Sequence, residues 1–204
     1  MATRALGLGL KRALDVLFSL AGLALLWPVL AVVALIVKLD SPGPVFYRGV
    51  RTGKGGTPFG IFKFRSMVVD AEKVGGGSTA RNDSRITRVG GVLRRYKVDE
   101  LPQLLNVLIG DMSFVGPRPE LPSYTRLYQG EELLILTMRP GITDHASLQF
   151  AQLGEVLGDC DADRVYEERV MPVKNGLRVR YVKEWSLLGD LVLVIRTLLR
   201  VVRG

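Results

Sequence analysis

A long apolar segment near the N-terminus constrains the fold of this chain more than any other feature. Residues 13–37 contain only two clearly polar side chains, Asp15 and Ser19. About 20 apolar residues are enough to cross a bilayer as a straight helix. A signal peptide is disfavoured, because the segment is long and no small-residue cleavage site follows it. The segment therefore predicts a membrane helix that stays attached, with Asp15 paired to Lys11 or Arg12 at the headgroup boundary.

The charges on both sides of this segment, together with Pro28, predict how it meets the membrane. A proline inside a helix removes one backbone hydrogen bond and can kink the helix. Basic residues lie before and after the segment, namely Arg4, Lys11, Arg12, Lys38, Arg48, Arg51 and Lys54. The positive-inside rule puts both flanks on the cytoplasmic side, which a re-entrant hairpin satisfies and a single crossing does not. A kinked helix that spans the bilayer is the alternative, since spanning helices tolerate proline.

The composition limits the classes of protein that fit this sequence. Hydrophobic residues make up 48% of the 204 residues and charged residues 24%, and the mean hydropathy of +0.22 is high for a soluble protein. The net charge of +8 suits an anionic bilayer surface or a pyrophosphate substrate. A basic nucleic-acid binder is the weaker alternative, because the sequence has no zinc-finger pattern or aromatic RNA-binding motif. The length fits one domain, and the single cysteine, Cys160, excludes an internal disulfide and fits a reducing compartment.

An adjacent pair of acids, Asp99 and Glu100, lies between two segments that carry arginine. Carboxylates beside basic residues form a site that can hold a divalent metal ion and phosphate, which suggests phosphoryl chemistry. Leucines follow at the spacing of one helical face, at positions 101, 104, 105 and 108. This pattern predicts a helix that begins at the pair, with Asp99 as its N-cap and Pro102 in its first turn. The alternative is that the two acids only stabilise the start of a helix.

Two further segments carry basic side chains that are suited to binding an anion. Pro117 and Pro119 restrict the backbone around Arg118, so its guanidinium can bind a phosphate at two points with little ordering cost. Lys63 and Arg65 alternate along a predicted strand and therefore share one face, where they form a cationic pair. A plain proline-rich turn and exposed surface cations are the corresponding alternatives.

The remaining elements are short, apart from one helix at the C-terminus. Strand patterns occur at residues 45–48, 59–65 and 113–115, and a helical pattern occurs at 121–138. Residues 187–203 place arginines at three- and four-residue intervals beside a broad apolar face, so this helix either lies in the membrane interface or packs on the core. Residues 74–84 include three consecutive glycines and form either a substrate lid or a plain linker.

Several motifs, taken together, resemble the bacterial sugar transferases, and among them the monotopic phosphoglycosyl transferases. The motifs are residues 41–46, 62–67, 98–104, 106–108, 110–113 and 116–119, with Asn82, Asp83, Arg85, Ile86, Thr87 and Gly90. The resemblance is strong over residues 8–142 and weaker beyond. It implies an α+β fold, mainly helical, with an N-terminal re-entrant membrane helix, amphipathic interfacial helices and a small cytoplasmic catalytic domain. Residues 1–38 would form the re-entrant anchor and residues 39–204 the catalytic domain with its interfacial helices.

The resemblance also implies a reaction. Family members transfer a phosphosugar from a nucleotide diphosphate sugar, usually a UDP-sugar, to a polyprenyl phosphate such as undecaprenyl phosphate, and they release UMP. Asp99 would be the nucleophile that forms an aspartyl-phosphosugar intermediate, and Glu100 would help to bind Mg²⁺ or position the acceptor phosphate. Asp99 and Glu100 are thus the candidate Mg²⁺ ligands, and the ion would neutralise pyrophosphate charge. The candidate phosphate contacts are Lys63, Arg65, Arg94 and Arg118.

The resemblance further implies a location and leaves some properties open. Such a protein acts at the cytoplasmic face of the bacterial inner membrane, on an anionic leaflet, at the first membrane step of glycoconjugate or exopolysaccharide assembly. Trp27 replaces the serine that commonly precedes the helix-breaking proline, and Asp144 with His145 replaces a Gly-Trp pair. These departures leave the kink and the sugar preference open, and a homo-oligomer is open as well. The alternative function is a catalytically inactive membrane-associated scaffold in which the two acids only cap a helix.

Overall fold

The computed structural model describes residues 2–71, 83–150 and 162–203, and within these ranges the protein is mainly helical with two small β-sheets. Its helices are α1 (Ala2–Asp40), α2 (Arg88–Arg95), α3 (Gln103–Ile109), α4 (Pro122–Thr125), α5 (His145–Gln149), α6 (Ala162–Val165), α7 (Met171–Glu184) and α8 (Leu187–Arg203). Its strands are β1 (Phe46–Thr52), β2 (Pro58–Phe64), β3 (Ser113–Val115) and β4 (Gly141–Thr143). Shorter 3₁₀ or π segments cover Lys54–Gly56, Val98–Glu100, Gly130–Thr137 and Tyr166–Val170. The predicted α+β class, mainly helical, is confirmed.

Helix α1 confirms the long apolar helix predicted from residues 13–37 and extends it at both ends. Its 39 residues continue through Pro28 as one helix. Within the described residues, α1 is the one helix that is long and apolar enough to cross a membrane. Many of its large apolar side chains are exposed, including Leu17, Leu25 and Leu35. An exposed apolar surface of this extent is typical of a membrane contact.

The other face of α1 contacts the rest of the protein through polar side chains in its N-terminal half. Lys11 Nζ lies 2.6 Å from Asp190 Oδ2 on α8, and Arg12 donates to two backbone carbonyl groups at the end of α3. Asp15 Oδ1 accepts hydrogen bonds from a hydroxyl and a backbone N–H of β3, both at 3.1 Å. The predicted pairing of Asp15 with Lys11 or Arg12 is therefore wrong, because each of the three side chains has its partner on another element.

The middle and the C-terminal end of α1 contact the same body of protein. A Cβ added at Gly22 would lie 3.2 Å from a methyl carbon of Leu104 on α3, so the two helices approach closely there. Near the end of α1, Val37 packs in one hydrophobic cluster with Phe64 of β2 and Leu93 of α2. The protein therefore holds α1 near both of its ends as well as at its middle.

Two pairs of strands place the segments that carry the predicted anion ligands. Strands β1 and β2, both indicated by the sequence pattern, pair in an antiparallel hairpin in which Phe46 lies opposite Phe64. Strand β3, also predicted, pairs with β4 in parallel. A Cβ at Gly141 would lie 2.1 Å from the backbone N of Gly116, so this crossing requires glycine. The close crossing brings the proline-flanked segment with Arg118 beside β4.

The structure corrects one predicted helix and confirms another. Residues 121–138 form α4, which ends at Thr125, and a separate 3₁₀ segment that begins at Gly130. Between them Gln129 is extended, and Gly130 adopts a left-handed φ of +53°, so the helical path is not continuous. Helix α8 is the predicted amphipathic helix, with Leu193 buried against the core and other apolar side chains exposed. The predicted loop at 74–84 lies largely outside the described residues, and so does Cys160.

Candidate active site

The two predicted catalytic acids, Asp99 and Glu100, lie in a short 3₁₀ turn and not at the start of an α-helix. Helix α3 begins beyond them, with Pro102 as its N-cap. An N-cap aspartate needs backbone donors two or three residues later, but Pro102 has no N–H and the N–H of Leu101 donates to Val98 O. The predicted N-cap role of Asp99 is therefore wrong, and so is the alternative that this acid only caps a helix.

Glu100 joins two of the predicted phosphate contacts. Its Oε1 accepts a hydrogen bond from Lys63 Nζ at 3.0 Å and a short one from the guanidinium of Arg118. Burial by itself would raise the pKa of Glu100, but the charges of Arg118 and Lys63 outweigh burial and hold that pKa well below its usual range. Glu100 is therefore an ionised bridge that fixes both cations. The side chains of Lys63 and Arg118 remain 21% and 27% exposed, so part of each side chain is accessible to a ligand.

Asp99 lies beside this bridge and has an oxygen without a partner. The residue is 5% exposed, and its Oδ1 has no hydrogen-bond partner among the residues that the structure describes. Burial raises the pKa of Asp99; the positive charge of Lys63 opposes this effect, and the negative charge of Glu100 adds to it. An unsatisfied buried acceptor costs about 1–3 kcal/mol of folding free energy. Such groups call for an explanation, and a catalytic role is a common one.

A clamp between α3 and β2 sets the position of Lys63. Asn106 on α3 accepts a hydrogen bond from Phe62 N at 2.7 Å and donates one to Gly60 O at 2.9 Å. Burial lowers the pKa of Lys63, and the charge of Glu100 offsets this effect only in part. Sequence analysis assigned no role to Asn106, although a polar residue on the buried face of a short apolar helix is a usable signal.

Arg118 is held through both its side chain and its backbone. Its Nη1 donates to Ile142 O at 2.8 Å, and its backbone N–H donates to Asp144 Oδ2 at 3.0 Å. Asp144 also accepts a hydrogen bond at 3.2 Å from Arg178 Nε on α7. Sequence analysis missed the roles of Asp144 and Arg178. The one available signal was the departure from the family pattern at Asp144.

The two remaining predicted phosphate contacts lie in different surroundings. Arg94 on α2 is half-buried, its guanidinium has no hydrogen-bond partner within the described part of the chain, and its charge opposes the rise in the pKa of Asp99. Arg65 is buried and donates to three backbone carbonyl groups around the end of α1. The predicted cationic pair of Lys63 and Arg65 is therefore wrong, because strand β2 ends before Arg65 and the two side chains bind different partners. A phosphate contact by Arg65 stays a prediction that this geometry does not support.

The carboxylates offer few ligands for the predicted Mg²⁺. Across residues 2–71, 83–150 and 162–203, no group of three or more His, Cys, Asp or Glu side chains is placed to hold a metal ion. Mg²⁺, however, often binds through one or two carboxylates together with substrate phosphates and water. The unpartnered oxygen of Asp99 fits that mode, whereas one oxygen of Glu100 is already engaged by two cations. The residues present thus fit an ion that arrives with a phosphate substrate.

The sequence as a whole, including both acids and their cations, matches a known family. The family model described as bacterial sugar transferase covers residues 6–204. The chain belongs to this family. The match confirms the family that the motifs indicate, and with it the enzyme class, a transferase of sugar phosphates.

Curated relatives of this sugar transferase have names that agree with that class. The chain is 41% identical to the UDP-glucose:undecaprenyl-phosphate glucose-1-phosphate transferase of Escherichia coli (strain K12), over 94% of this chain and 40% of that protein. It is 40% identical to a protein of the same name from Caulobacter vibrioides, over 92% of this chain and 67% of that protein. It is 35% identical to the exopolysaccharide production protein ExoY of Rhizobium meliloti, over 97% of this chain and 87% of that protein. The chain therefore spans less than half of the Escherichia coli relative.

Proposed function

We propose that this sugar transferase moves a phosphosugar from a UDP-sugar to undecaprenyl phosphate and releases UMP. The observation that carries the proposal is the buried, unpartnered Oδ1 of Asp99 beside the two cations that share Glu100. A carboxylate oxygen that no described donor engages keeps its lone pairs for a phosphorus atom, and the two cations would bind phosphate oxygens. The names of the Escherichia coli and Caulobacter relatives support the substrate classes, a UDP-sugar and undecaprenyl phosphate.

In the first half-reaction, an oxygen of Asp99 attacks the phosphorus that carries the sugar. The new bond joins this oxygen to phosphorus while the bond to the bridging pyrophosphate oxygen breaks, and UMP leaves with that electron pair. Lys63 and Arg118 supply positive charge where charge develops on the phosphates, and Arg94 adds to it at longer range. The product is an aspartyl phosphosugar on the enzyme.

In the second half-reaction, a phosphate oxygen of undecaprenyl phosphate attacks the same phosphorus. The bond from Asp99 to phosphorus breaks, which restores the carboxylate and gives a lipid diphosphate sugar. Glu100 is unsuited to be the nucleophile, because two cations engage its Oε1; it keeps these cations in place through both half-reactions. Mg²⁺, held by Asp99 or Glu100 together with substrate phosphates, would neutralise part of the pyrophosphate charge.

In this proposal both ends of helix α1 lie on one side of the membrane, and Pro28 is the residue at which the continuous helix would bend. Arg12 near one end and Val37 near the other both contact the catalytic body. A straight helix between them would be about 38 Å long, which exceeds the roughly 30 Å of a bilayer core, so a spanning helix would carry one contact to the opposite side. The contacts thus support an anchor, residues 1–38, on the same leaflet as the catalytic part, residues 39–204. The basic flanks favour the cytoplasmic leaflet of the bacterial inner membrane.

Helix α8 adds to the surface that faces the lipid. Leu191, Ile195 and Leu198 are exposed on this helix, and Arg196 and Arg200 are exposed beside them. Such a helix lies in the membrane interface with its arginines toward lipid phosphates. An active site at this level meets a soluble nucleotide sugar and the phosphate of a buried lipid, so neither substrate has to leave its own phase.

The test is UMP release by the full chain in lipid nanodiscs, with undecaprenyl phosphate, Mg²⁺ and a panel of UDP-sugars. We expect release with at least one donor, and a fall of about 10³-fold or more in Asp99→Asn, because an amide is a poor nucleophile toward phosphorus. Glu184→Gln is the control for an acid-to-amide change. Glu184 is exposed at the end of α7, where it pairs with the exposed Arg180, and UMP release should stay near the wild-type rate.

A second measurement follows the covalent step. When the acceptor lipid is left out, mass spectrometry of donor-treated protein should find one phosphosugar attached at residue 99. Equal UMP release by wild type and Asp99→Asn would favour the inactive scaffold with a contaminating activity. Release of no UMP from any donor would overturn the proposed reaction.

A further inference from the structure

Asp144 is a buried acid next to the site whose three hydrogen bonds all go to fixed groups. It is 1% exposed. Its Oδ2 accepts from the backbone N–H of Arg118 at 3.0 Å and from Arg178 Nε at 3.2 Å. Its Oδ1 accepts from the backbone N–H of Ser147 at 2.5 Å. Asp144 therefore connects the backbone of a predicted phosphate contact to the buried arginine of α7.

Arg178 also binds the segment that follows Arg118 directly. Its Nη2 donates to Glu120 Oε1 at 2.8 Å, two residues after Arg118. Arg178 is itself 1% exposed, so this ion triad of Asp144, Arg178 and Glu120 is screened little by water. The triad fixes the chain at Arg118 and just beyond it, while Ile142 and Glu100 fix the guanidinium at the other end.

We propose that Asp144, held by Arg178, is a positioning residue that sets how well Arg118 binds the phosphates of the donor. This inference rests on the proposed function. Asp144 faces no open surface, so it acts on a ligand only through the place that it gives to Arg118. A shift of the Arg118 backbone moves the guanidinium relative to both Glu100 and a bound phosphate, and small displacements of a positioning group weaken binding strongly.

The substitution Asp144→Asn tests this role with little change in shape. Either orientation of the new amide puts an NH₂ group against an N–H donor, at Ser147 on one side or at Arg118 and Arg178 on the other. We expect KM for the UDP-sugar to rise about tenfold and kcat/KM to fall by at least that factor, because Arg118 binds the donor phosphates in the ground state and also where charge develops in the transition state. The affinity for UMP, measured by calorimetry, should fall by a similar factor without any turnover.

Asp190→Asn is the matched control. Asp190 is also buried and also accepts three hydrogen bonds, but its donors are Lys11, Tyr181 and Trp185. Both variants should lose thermal stability, and only Asp144→Asn should lose UMP affinity. A general loosening of the fold would lower UMP affinity in both.

A double-mutant cycle separates positioning from a general structural effect. On the background of Arg118→Lys, where the two-point contact is already lost, Asp144→Asn should add little to KM or to the Kd of UMP. Full addition of the two effects, or equal UMP affinity in wild type and Asp144→Asn, would overturn the proposal. If Asp144→Asn does not fold, Arg178→Lys keeps one buried positive charge beside Asp144 and answers the same question. If wild type binds UMP but releases none from any donor, the proposed reaction fails while the positioning role is still decided by UMP affinity.

Discussion

Asp99 and Asp190 are buried to almost the same degree, 5% and 7% exposed, yet their surroundings are built in opposite ways. Asp190 Oδ2 accepts hydrogen bonds from Lys11 at 2.6 Å and from Trp185 at 3.0 Å, and its Oδ1 accepts one from the hydroxyl of Tyr181 at 2.8 Å. Asp99 Oδ1 has no partner in the part of the chain that the structure describes. The difference between the two acids therefore lies in their donors and not in their burial.

This contrast distinguishes an acid that stabilises the fold from an acid that does chemistry. Asp190 binds Lys11 of α1 to the end of α7 and the start of α8, so it fastens the anchor to the catalytic part. Asp99 Oδ1 joins no two elements among the described residues, and a buried acceptor of this kind typically costs about 1–3 kcal/mol of folding free energy. Stability given up at a site of this kind is a common consequence of selection for activity. Replacing each acid by its amide tests the contrast directly.

The largest expected effect is that of Asp99→Asn, which should raise stability while it removes activity. Because burial raises the pKa of Asp99 above its value in the unfolded chain, the protonated acid favours folding at low pH, and this contribution is lost as the pH rises through the raised pKa. At neutral pH the ionised side chain destabilises the fold. We expect a fall of about 10³-fold or more in UMP release and a gain of about 1 kcal/mol in the free energy of unfolding, seen as a higher Tm. A Tm of Asp99→Asn below that of the wild type would contradict the inference that Asp99 destabilises the fold whereas Asp190 stabilises it.

The next effect compares Glu100→Gln with Asp190→Asn. Glu100→Gln leaves Lys63 and Arg118 without their carboxylate, and Asp190→Asn leaves Lys11 without its own. Breaking an ion pair costs about 3–5 kcal/mol when both partners are fully buried. Lys63 and Arg118 are partly exposed, so we expect the lower loss, about 1–2 kcal/mol, for Glu100→Gln. Inorganic phosphate should restore part of the Tm of Glu100→Gln, because it can bind the two released cations. Phosphate should leave the Tm of Asp190→Asn unchanged. An equal rise in the Tm of both variants would show that phosphate does not bind specifically to Lys63 and Arg118.

Local patterns were sufficient to predict much of the fold. The apolar run gives α1, alternating residues give the β1–β2 hairpin and β3, and helical spacing gives α8. The prediction failed where one residue changes the backbone. Gly130, together with the extended residue before it, separates the two short elements found within 121–138, and Pro102 moves the start of α3 beyond the acids. Gly130 and Pro102 are both signals of a helix boundary in the sequence, but the prediction relied on the spacing of the hydrophobic residues instead.

The candidate site was predictable only in part, because its contacts join distant segments. Lys63 and Arg118 do meet at Glu100, over separations of 37 and 18 residues. The sequence motifs alone predicted that these residues belong to one phosphate-binding site. Arg178 contacts Asp144 across 34 residues and belongs to no motif noted in the sequence, so only the structure shows its role. Arg65 shows the reverse case, since strand periodicity assigned it to a ligand and the end of α1 binds it instead.

A smaller effect is expected in the pH dependence of UMP release. Asp99 must be ionised to attack, and its raised pKa should place the acid limb of kcat/KM above the usual range of an aspartate. The lowered pKa of Lys63 should place the alkaline limb below the usual range of a lysine. Lys63→Arg should move the alkaline limb upward, because arginine stays charged, and should leave the acid limb close to its wild-type position. An unmoved alkaline limb would show that another group sets it.

The smallest expected effect tests whether Arg94 or Arg65 contributes to the candidate site around Asp99. The guanidinium of Arg94 has no hydrogen-bond partner among the described residues, and its charge opposes the rise in the pKa of Asp99, whereas Arg65 donates to three carbonyl groups around the end of α1. We expect Arg94→Gln to raise KM for the UDP-sugar about two- to threefold, as a partly exposed charge acts weakly at a distance. Arg65→Lys should lower the Tm and leave KM unchanged, because a lysine cannot reproduce its contacts to these carbonyl groups. A higher KM in Arg65→Lys, with KM unchanged in Arg94→Gln, would assign the phosphate contact to Arg65 instead of Arg94. Arg65 would then belong to the catalytic site and not only to the residues that hold α1.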